Sequence, residues 1–239
     1  MKRYLIFLTV LVFSFLIANE GKAFPGNTKI TSFSKAKQIL YNKISKNLEK
    51  KTFYCGCSYK NKNSIDFKSC GFAPRKNAKR AKRVEAEHIV PASLFGRTFK
   101  SWTEGDPKCV TRKGKRYKGR RCAKKVSREF RLMEADLFNL YPAIGEVNGD
   151  RSNYEFAEIP GEKRSYGKCD VEIEGKKIEP REEIRGDVAR TYFYMMASYP
   201  KRVKISGEKL KMFKRWSKLD PESEEEKMRL ETIRKVLGE

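Results

Sequence analysis

The chain has 239 residues, a formal net charge of +24, six cysteines and a single histidine. That length supports one sizeable domain with its own core. The charge speaks of a polyanionic partner rather than of a fold, and no segment beyond the N-terminus is apolar enough to span a membrane.

Met1-Lys2-Arg3-Tyr4 is a basic start, and Leu5–Ala18 follows without a charge. This run is shorter than the ~20 residues a stable membrane-crossing helix needs. Gly21 and Ala23 supply the small residues a signal peptidase reads, so residues 1–23 are expected to be a signal peptide and 24–239 the mature domain. An uncleaved signal anchor is the alternative. The leader carries Lys2, Arg3, Lys22 and Glu20, which leaves a mature charge of +22.

Ser34 is placed to cap a helix whose Ile39, Leu40, Ile44 and Leu48 share a face. Thr52-Phe53-Tyr54 and Ile65-Asp66-Phe67 read as short strands. Arg75–Arg83 is a basic stretch leading into Val84–Val90, a strand that puts Glu85 and Glu87 on one face and His88 on the other. Lys108–Arg131 carries twelve Lys or Arg and one acid, Glu129. Both basic stretches are poorly periodic and read as loops or helix ends that offer cations to phosphates. Asp187–Tyr199 has a helical stripe of Val188, Thr191, Tyr192, Met195, Met196 and Tyr199, stopped by Pro200, and this stripe is a core face. Leu210, Phe213 and Trp216 mark another buried helix. Asp220-Pro221-Glu222 is expected to open the last helix.

Six cysteines in an exported chain imply disulfides. Fifteen connectivities are possible. Cys55 and Cys57 stand too close to bridge each other comfortably. The preferred pairing joins Cys57 to Cys70 across a hairpin, Cys109 to Cys122 across the basic loop, and Cys55 to Cys169. A zinc site at Cys55-Gly56-Cys57 lacks a second close pair or supporting histidines.

His88 is the one side chain that titrates near neutrality, the natural proton acceptor for a hydrolysis, and Glu87 precedes it. Downstream, Asp136–Asn153 is dense in carboxylates and amides, the hard oxygen donors that Mg²⁺ prefers. Together these suggest one metal held between a strand and a helix, beside the histidine.

Glu85-Ala86-Glu87-His88-Ile89-Val90-Pro91-Ala92 with Phe95-Gly96 resembles the active-site strand of the bacterial endonuclease I family. Phe53–Cys57, Ser69-Cys70-Gly71, Arg75-Lys76-Asn77, Asn139-Leu140, Gly145–Asn153 and Ala189–Met195 match the same family in order, across roughly residues 30 to 220. The resemblance implies an α+β fold: a mixed, disulfide-stabilised single domain containing a ββα-metal (His-Me finger) motif. It also implies a periplasmic or secreted Mg²⁺-dependent nuclease that cuts DNA, and commonly RNA, with little sequence preference. Glu87 and Asn148 would hold Mg²⁺, and His88 would take a proton from the attacking water. An arginine of Gly119-Arg120-Arg121-Cys122, with Arg120 favoured, would face the phosphate, and Arg121 and Lys124 would bind substrate. The charge favours a monomer. Phe138 stands where the family commonly has His, Ala86 where members often have Trp, and the Lys108–Lys118 loop is long. A non-catalytic secreted nucleic-acid-binding protein is the alternative. It would use the basic stretches and leave Glu87, His88 and Asn148 unexplained, whereas an anionic-lipid or cell-wall binder would be indifferent to EDTA.

Overall fold

The computed structural model describes residues 26–161 and 163–238, so the expected leader and its cleavage site lie outside the described residues. The chain opens with α1 (Phe33–Ile39), which widens into a π turn over Leu40–Ile44. Its cap is Ser32, not Ser34: Ser32 has the extended backbone a cap requires, and its hydroxyl accepts from Lys35 N at 3.3 Å. Ile39, Leu40 and Ile44 are buried as expected, while Leu48 lies beyond the helical turns and packs against them.

Phe53–Cys55 forms a turn instead of a strand. Gly56 N donates to Thr52 O at 2.7 Å, and Phe53 N reaches across to Pro142 O at 2.8 Å. The chain reverses here through Gly56, which takes φ 66°, and Thr52 N closes the turn on Cys57 O at 2.9 Å. β1 (Tyr59–Asn61) and β2 (Ser64–Ile65) make a hairpin, and Phe67 belongs to the 3₁₀ turn Phe67–Ser69 rather than to a strand. α2 (Ala78–Ala81) leads into β3 (Val84–His88), which ends two residues earlier than expected. α3 (Ala92–Gly96) and α4 (Lys100–Thr103) are short.

The second basic stretch contains two helices, α5 (Arg120–Val126) and α6 (Arg128–Glu134), so it is only partly loop. Their buried residues Ala123, Phe130 and Met133 are masked in the sequence by the density of charge between them. β4 (Leu140–Ile144) runs antiparallel to β3, with Glu87 opposite Tyr141 and His88 opposite Leu140. It turns directly into α7 (Gly145–Arg151). β5 (Glu155–Phe156), β6 (Val171–Glu174) and β7 (Lys177–Pro180) form a three-stranded sheet in the order β5-β7-β6.

α8 (Arg185–Ser198) buries Val188, Thr191, Tyr192 and Met195, and α9 (Gly207–Leu219) packs on it through Phe213 and Trp216. α10 (Glu224–Leu237) begins at a Ser223 cap whose hydroxyl accepts from Glu226 N. The Asp220 cap is therefore corrected: Asp220 ends α9, and its carboxylate accepts from Gly186 N at 2.8 Å. The domain is mixed α and β. Its large core lies among β3, β4, α6, α8 and α9, and a smaller one between α1 and α10.

Three disulfides cross-link the domain: Cys55–Cys169, Cys57–Cys70 and Cys109–Cys122. These are the pairs preferred from spacing. Cys109–Cys122 ties the long basic loop to α5. Among the described residues no helix is long and apolar enough to cross a membrane.

Candidate active site

Along β3 the side chains alternate as a strand demands. Glu85 and Glu87 face α7, where Asn148 Nδ2 donates to Glu85 Oε2 at 3.0 Å and Arg151 Nη1 donates to Glu87 Oε1 at 2.9 Å. Ala86 and His88 face the other way, and the ring of Phe33 from α1 stacks on His88 at 4.9 Å. Among the described residues β4 is the only strand paired with β3, and residues from both faces of β3 line one open cleft of about 500 Å³.

Helical spacing explains what α7 contributes. Asn148 and Arg151 are three residues apart and meet β3 together. Glu146 and Asp150, on the opposite side, hold the first basic stretch. The buried Glu146 accepts the backbone N–H groups of Arg75, Lys76 and Asn77, and Asp150 pairs with Arg75 at 2.8 Å. Burial opposes ionisation of Asp150, yet Tyr166, Arg75 and Lys76 hold its carboxyl below the usual range. Gly145 lets α7 start this close: a Cβ there would lie 2.6 Å from the Arg80 carbonyl.

Glu87 is buried, and burial raises its carboxyl above the ordinary value against the pull of Arg151 and Tyr54. Tyr54 donates its hydroxyl to Glu87 Oε1 at 2.7 Å. Arg151 is almost wholly buried and also donates to the carbonyls of His88 and Ile89, both at 2.7 Å. His88 Nε2 lies 2.9 Å from the Glu134 carbonyl. A carbonyl only accepts, so Nε2 carries the proton and Nδ1 keeps its lone pair. Burial, then Arg120 and Arg151, push His88 down to about 3, against the Glu134 carbonyl. The ring is neutral throughout the ambient range.

Arg120 reaches the cleft because Gly119 turns the chain at φ 80°, ψ −159°, a conformation open essentially to glycine alone. Arg120 Nε donates to Glu134 Oε1 at 2.7 Å, and its guanidinium lies 5.3 Å from the Phe33 ring. Glu134 thus serves two cleft residues at once, His88 through its carbonyl and Arg120 through its carboxylate.

Four of the residues singled out from sequence, Glu87, His88, Arg120 and Asn148, therefore line one cleft. Arg121 and Lys124 do not line it. Arg121 lies over the Tyr117 ring at 4.4 Å, and Lys124 Nζ stands 3.9 Å from Glu134 Oε2. Much of the donor-rich Asp136–Asn153 string is structural. Asp136 is buried beneath the hydroxyls of Tyr194 and Tyr199, and Asn139 clamps Val90 through both its N–H and its carbonyl. Phe138 packs on Tyr194 at 4.5 Å and does not line the cleft. Sequence reading missed Tyr54, Glu134 and Arg151. For Arg151 a signal existed, its place one helical turn after Asn148.

The donor chemistry suits a hard cation that keeps most of its water. No three His, Cys, Asp or Glu side chains gather as a metal cluster among the described residues. Glu87 offers a carboxylate, and because Glu85 holds the Asn148 amide by its nitrogen, the Asn148 carbonyl oxygen is the atom left for a ligand.

Comparison with known proteins gives the family of the chain. The family model described as Endonuclease I matches residues 32–239. A periplasmic deoxyribonuclease of Aeromonas hydrophila is 41% identical over 193 residues, covering 78% of this chain and 75% of its own length. An extracellular deoxyribonuclease of the same organism is 39% identical over 215 residues, covering 87% and 86%. Endonuclease-1 of Buchnera aphidicola subsp. Acyrthosiphon pisum (strain APS) is 39% identical over 224 residues, covering 90% and 82%. The chain belongs to the endonuclease I family, and it is a periplasmic or secreted endonuclease, a hydrolase of phosphodiester bonds.

Proposed function

We propose that the protein is a Mg²⁺-dependent endonuclease that cuts DNA and RNA with little sequence preference, made with a signal peptide over residues 1–23 and acting as a monomer. The observation that carries this reading is the convergence of Glu87, His88, Arg120 and Asn148, from three separated stretches, on one cleft. β3, β4 and α7 are the frame of a ββα-metal site in this reading.

Glu87 and Asn148 would hold the Mg²⁺, which when bound supplies Lewis acidity at a phosphate oxygen and stabilises the leaving 3′ oxygen. His88 Nδ1 accepts the proton of the attacking water while its Nε2–H stays on the Glu134 carbonyl, so the ring cannot turn away. In the free protein this nitrogen is a weak base, first because it is buried and then because Arg120 and Arg151 stand near it. A bound phosphate diester offsets the arginine charges, which raises that basicity. Arg120, steadied by Glu134, meets the phosphate charge, and Arg121 and Lys124 on the outer side of α5 hold neighbouring phosphates. Affinity carried by a mature charge of +22 falls steeply with salt and reads little sequence.

The test is the mature chain on supercoiled plasmid and on a structured RNA, with Mg²⁺ or with EDTA. Degradation that requires Mg²⁺ and disappears in His88→Ala supports the assignment. Degradation unchanged in His88→Ala overturns it.

A further inference from the structure

Past Phe33 the cleft does not end. A second trough of about 490 Å³ adjoins it, sharing Phe33, Glu85, Ala86 and Asn148 as a common wall, with the Glu85 carboxylate already held by Arg80, Arg83 and the Asn148 amide. Its floor is one helical stripe: Phe33, Lys37 and Tyr41 are spaced four residues apart through α1 and the π turn, with Lys62 opposite from the turn between β1 and β2. Aromatic and cationic groups interleave along it. Lys37 Nζ lies 5.0 Å from the centroid of the Phe33 ring, and Lys62 Nζ lies 5.5 Å from that of Tyr41.

Neither lysine is tied up. Among the described residues no carboxylate forms an ion pair with Lys37 or Lys62, whereas Arg80, Arg120 and Arg151, which line the cleft, each have one. An aromatic stripe carrying unpaired ammonium groups matches the two faces of a nucleic-acid strand, flat bases and spaced phosphates. A neutral or cationic ligand would leave both lysines unanswered.

We infer that this trough, formed by Phe33, Lys37, Tyr41 and Lys62, is a subsite for the nucleotides on one side of the scissile phosphate. The strand crosses Phe33 and lays its next phosphates on Lys37 and Lys62. The inference rests on the nuclease reading for the identity of its ligand, but it is read through binding and needs no turnover.

The experiment uses the mature chain carrying His88→Ala, in EDTA, with a fluorescein-labelled 12-nucleotide single strand followed by anisotropy between 50 and 200 mM NaCl. Lys37→Ala/Lys62→Ala should weaken binding at least ~10-fold at the low-salt end and lower the slope of log K against log salt by about 1.4, two single-strand phosphate contacts. Lys214→Ala/Lys218→Ala on α9 removes the same charge elsewhere and should change that slope by less than ~0.5. Phe33→Leu should weaken the single strand ~5-fold or more through lost stacking. With His88 restored, the Lys37/Lys62 variant should raise KM on DNA while hydrolysing bis(p-nitrophenyl) phosphate, which fills only the catalytic cleft, within about twofold of the parent. If both lysine pairs shift affinity and slope equally, the trough is no subsite and the inference falls. If the specific loss of binding appears but the parent cleaves nothing, the subsite stands and the nuclease reading fails instead.

Discussion

Replacing Arg151 by methionine keeps much of the side chain's length and apolar body while removing the only cation among the described residues in contact with the buried Glu87 carboxylate. Three hydrogen bonds go with it, one to Glu87 Oε1 and one each to the carbonyls of His88 and Ile89. Breaking a buried pair from one side costs about 3–5 kcal/mol, because the remaining charge stays in a dry site. For a domain of this size that corresponds to a Tm lower by roughly 6–20 °C. Glu87→Gln alone strands the guanidinium instead and should also destabilise. The double variant strands neither charge, so the two effects should fall short of additive by at least ~2 kcal/mol. Guanidinium unfolding of the oxidised protein in EDTA, followed by tryptophan fluorescence, measures all four chains. The deficit of Arg151→Met also has a pH signature. Burial already raises Glu87, and losing Arg151 raises it further. The added instability is therefore fully present above that raised value and shrinks as acid protonates the carboxyl in the folded state. Single effects that add within ~0.5 kcal/mol, or a deficit that grows on acidification, would refute the view of Arg151 as the resident counter-charge of Glu87.

Four further outcomes follow from the same contacts. His88→Ala should lower plasmid nicking at least ~10²-fold, the scale of general-base catalysis, while leaving the Tm within a few degrees. Glu134→Gln keeps the carbonyl that orients His88 but weakens the hold on Arg120, so kcat should fall on the order of 10-fold with a smaller change in KM, measured on an oligonucleotide. Cys109→Ala/Cys122→Ala opens a loop of sequence separation 13 and should destabilise by about 3 kcal/mol in urea. Asp187 is raised to about 7 by burial and by Glu226, so the folded state holds its proton more tightly than the unfolded chain does. Its contribution is best below about pH 4 and declines up to about 7. Asp187→Asn should therefore gain on the order of 2 kcal/mol at pH 8 and nothing near pH 4, read from unfolding midpoints across pH.

What could be read from the sequence was whatever chemistry is local. His88 is unique, Glu87 is its neighbour, and strand alternation sorts Glu85 and Glu87 from His88 without knowledge of the fold. Disulfide pairing was also legible, because 57–70 and 109–122 are short closures that leave one pair over. Caps were misplaced at Ser34 and Asp220 because several residues able to cap stand close together, and only backbone direction chooses among them. Helices α5 and α6 were hidden because lysines and arginines fill their exposed faces and dilute the apolar period. Glu134 could not have been found at all. Its role depends on a backbone carbonyl, which has no sequence identity, and on an arginine brought near by the turn at Gly119.

That hidden residue bears on how the cleft is organised. His88 and Arg120 arrive from β3 and α5, which share no strand pairing, and each would be free to move on its own. Glu134, at the end of α6, fixes both from one position, and the Phe33 ring lies against both on the other side. In the roles proposed for them, proton acceptor and phosphate counter-charge, two groups held by the same two residues would keep their separation when either element shifts, which is the preorganisation a hydrolytic site requires.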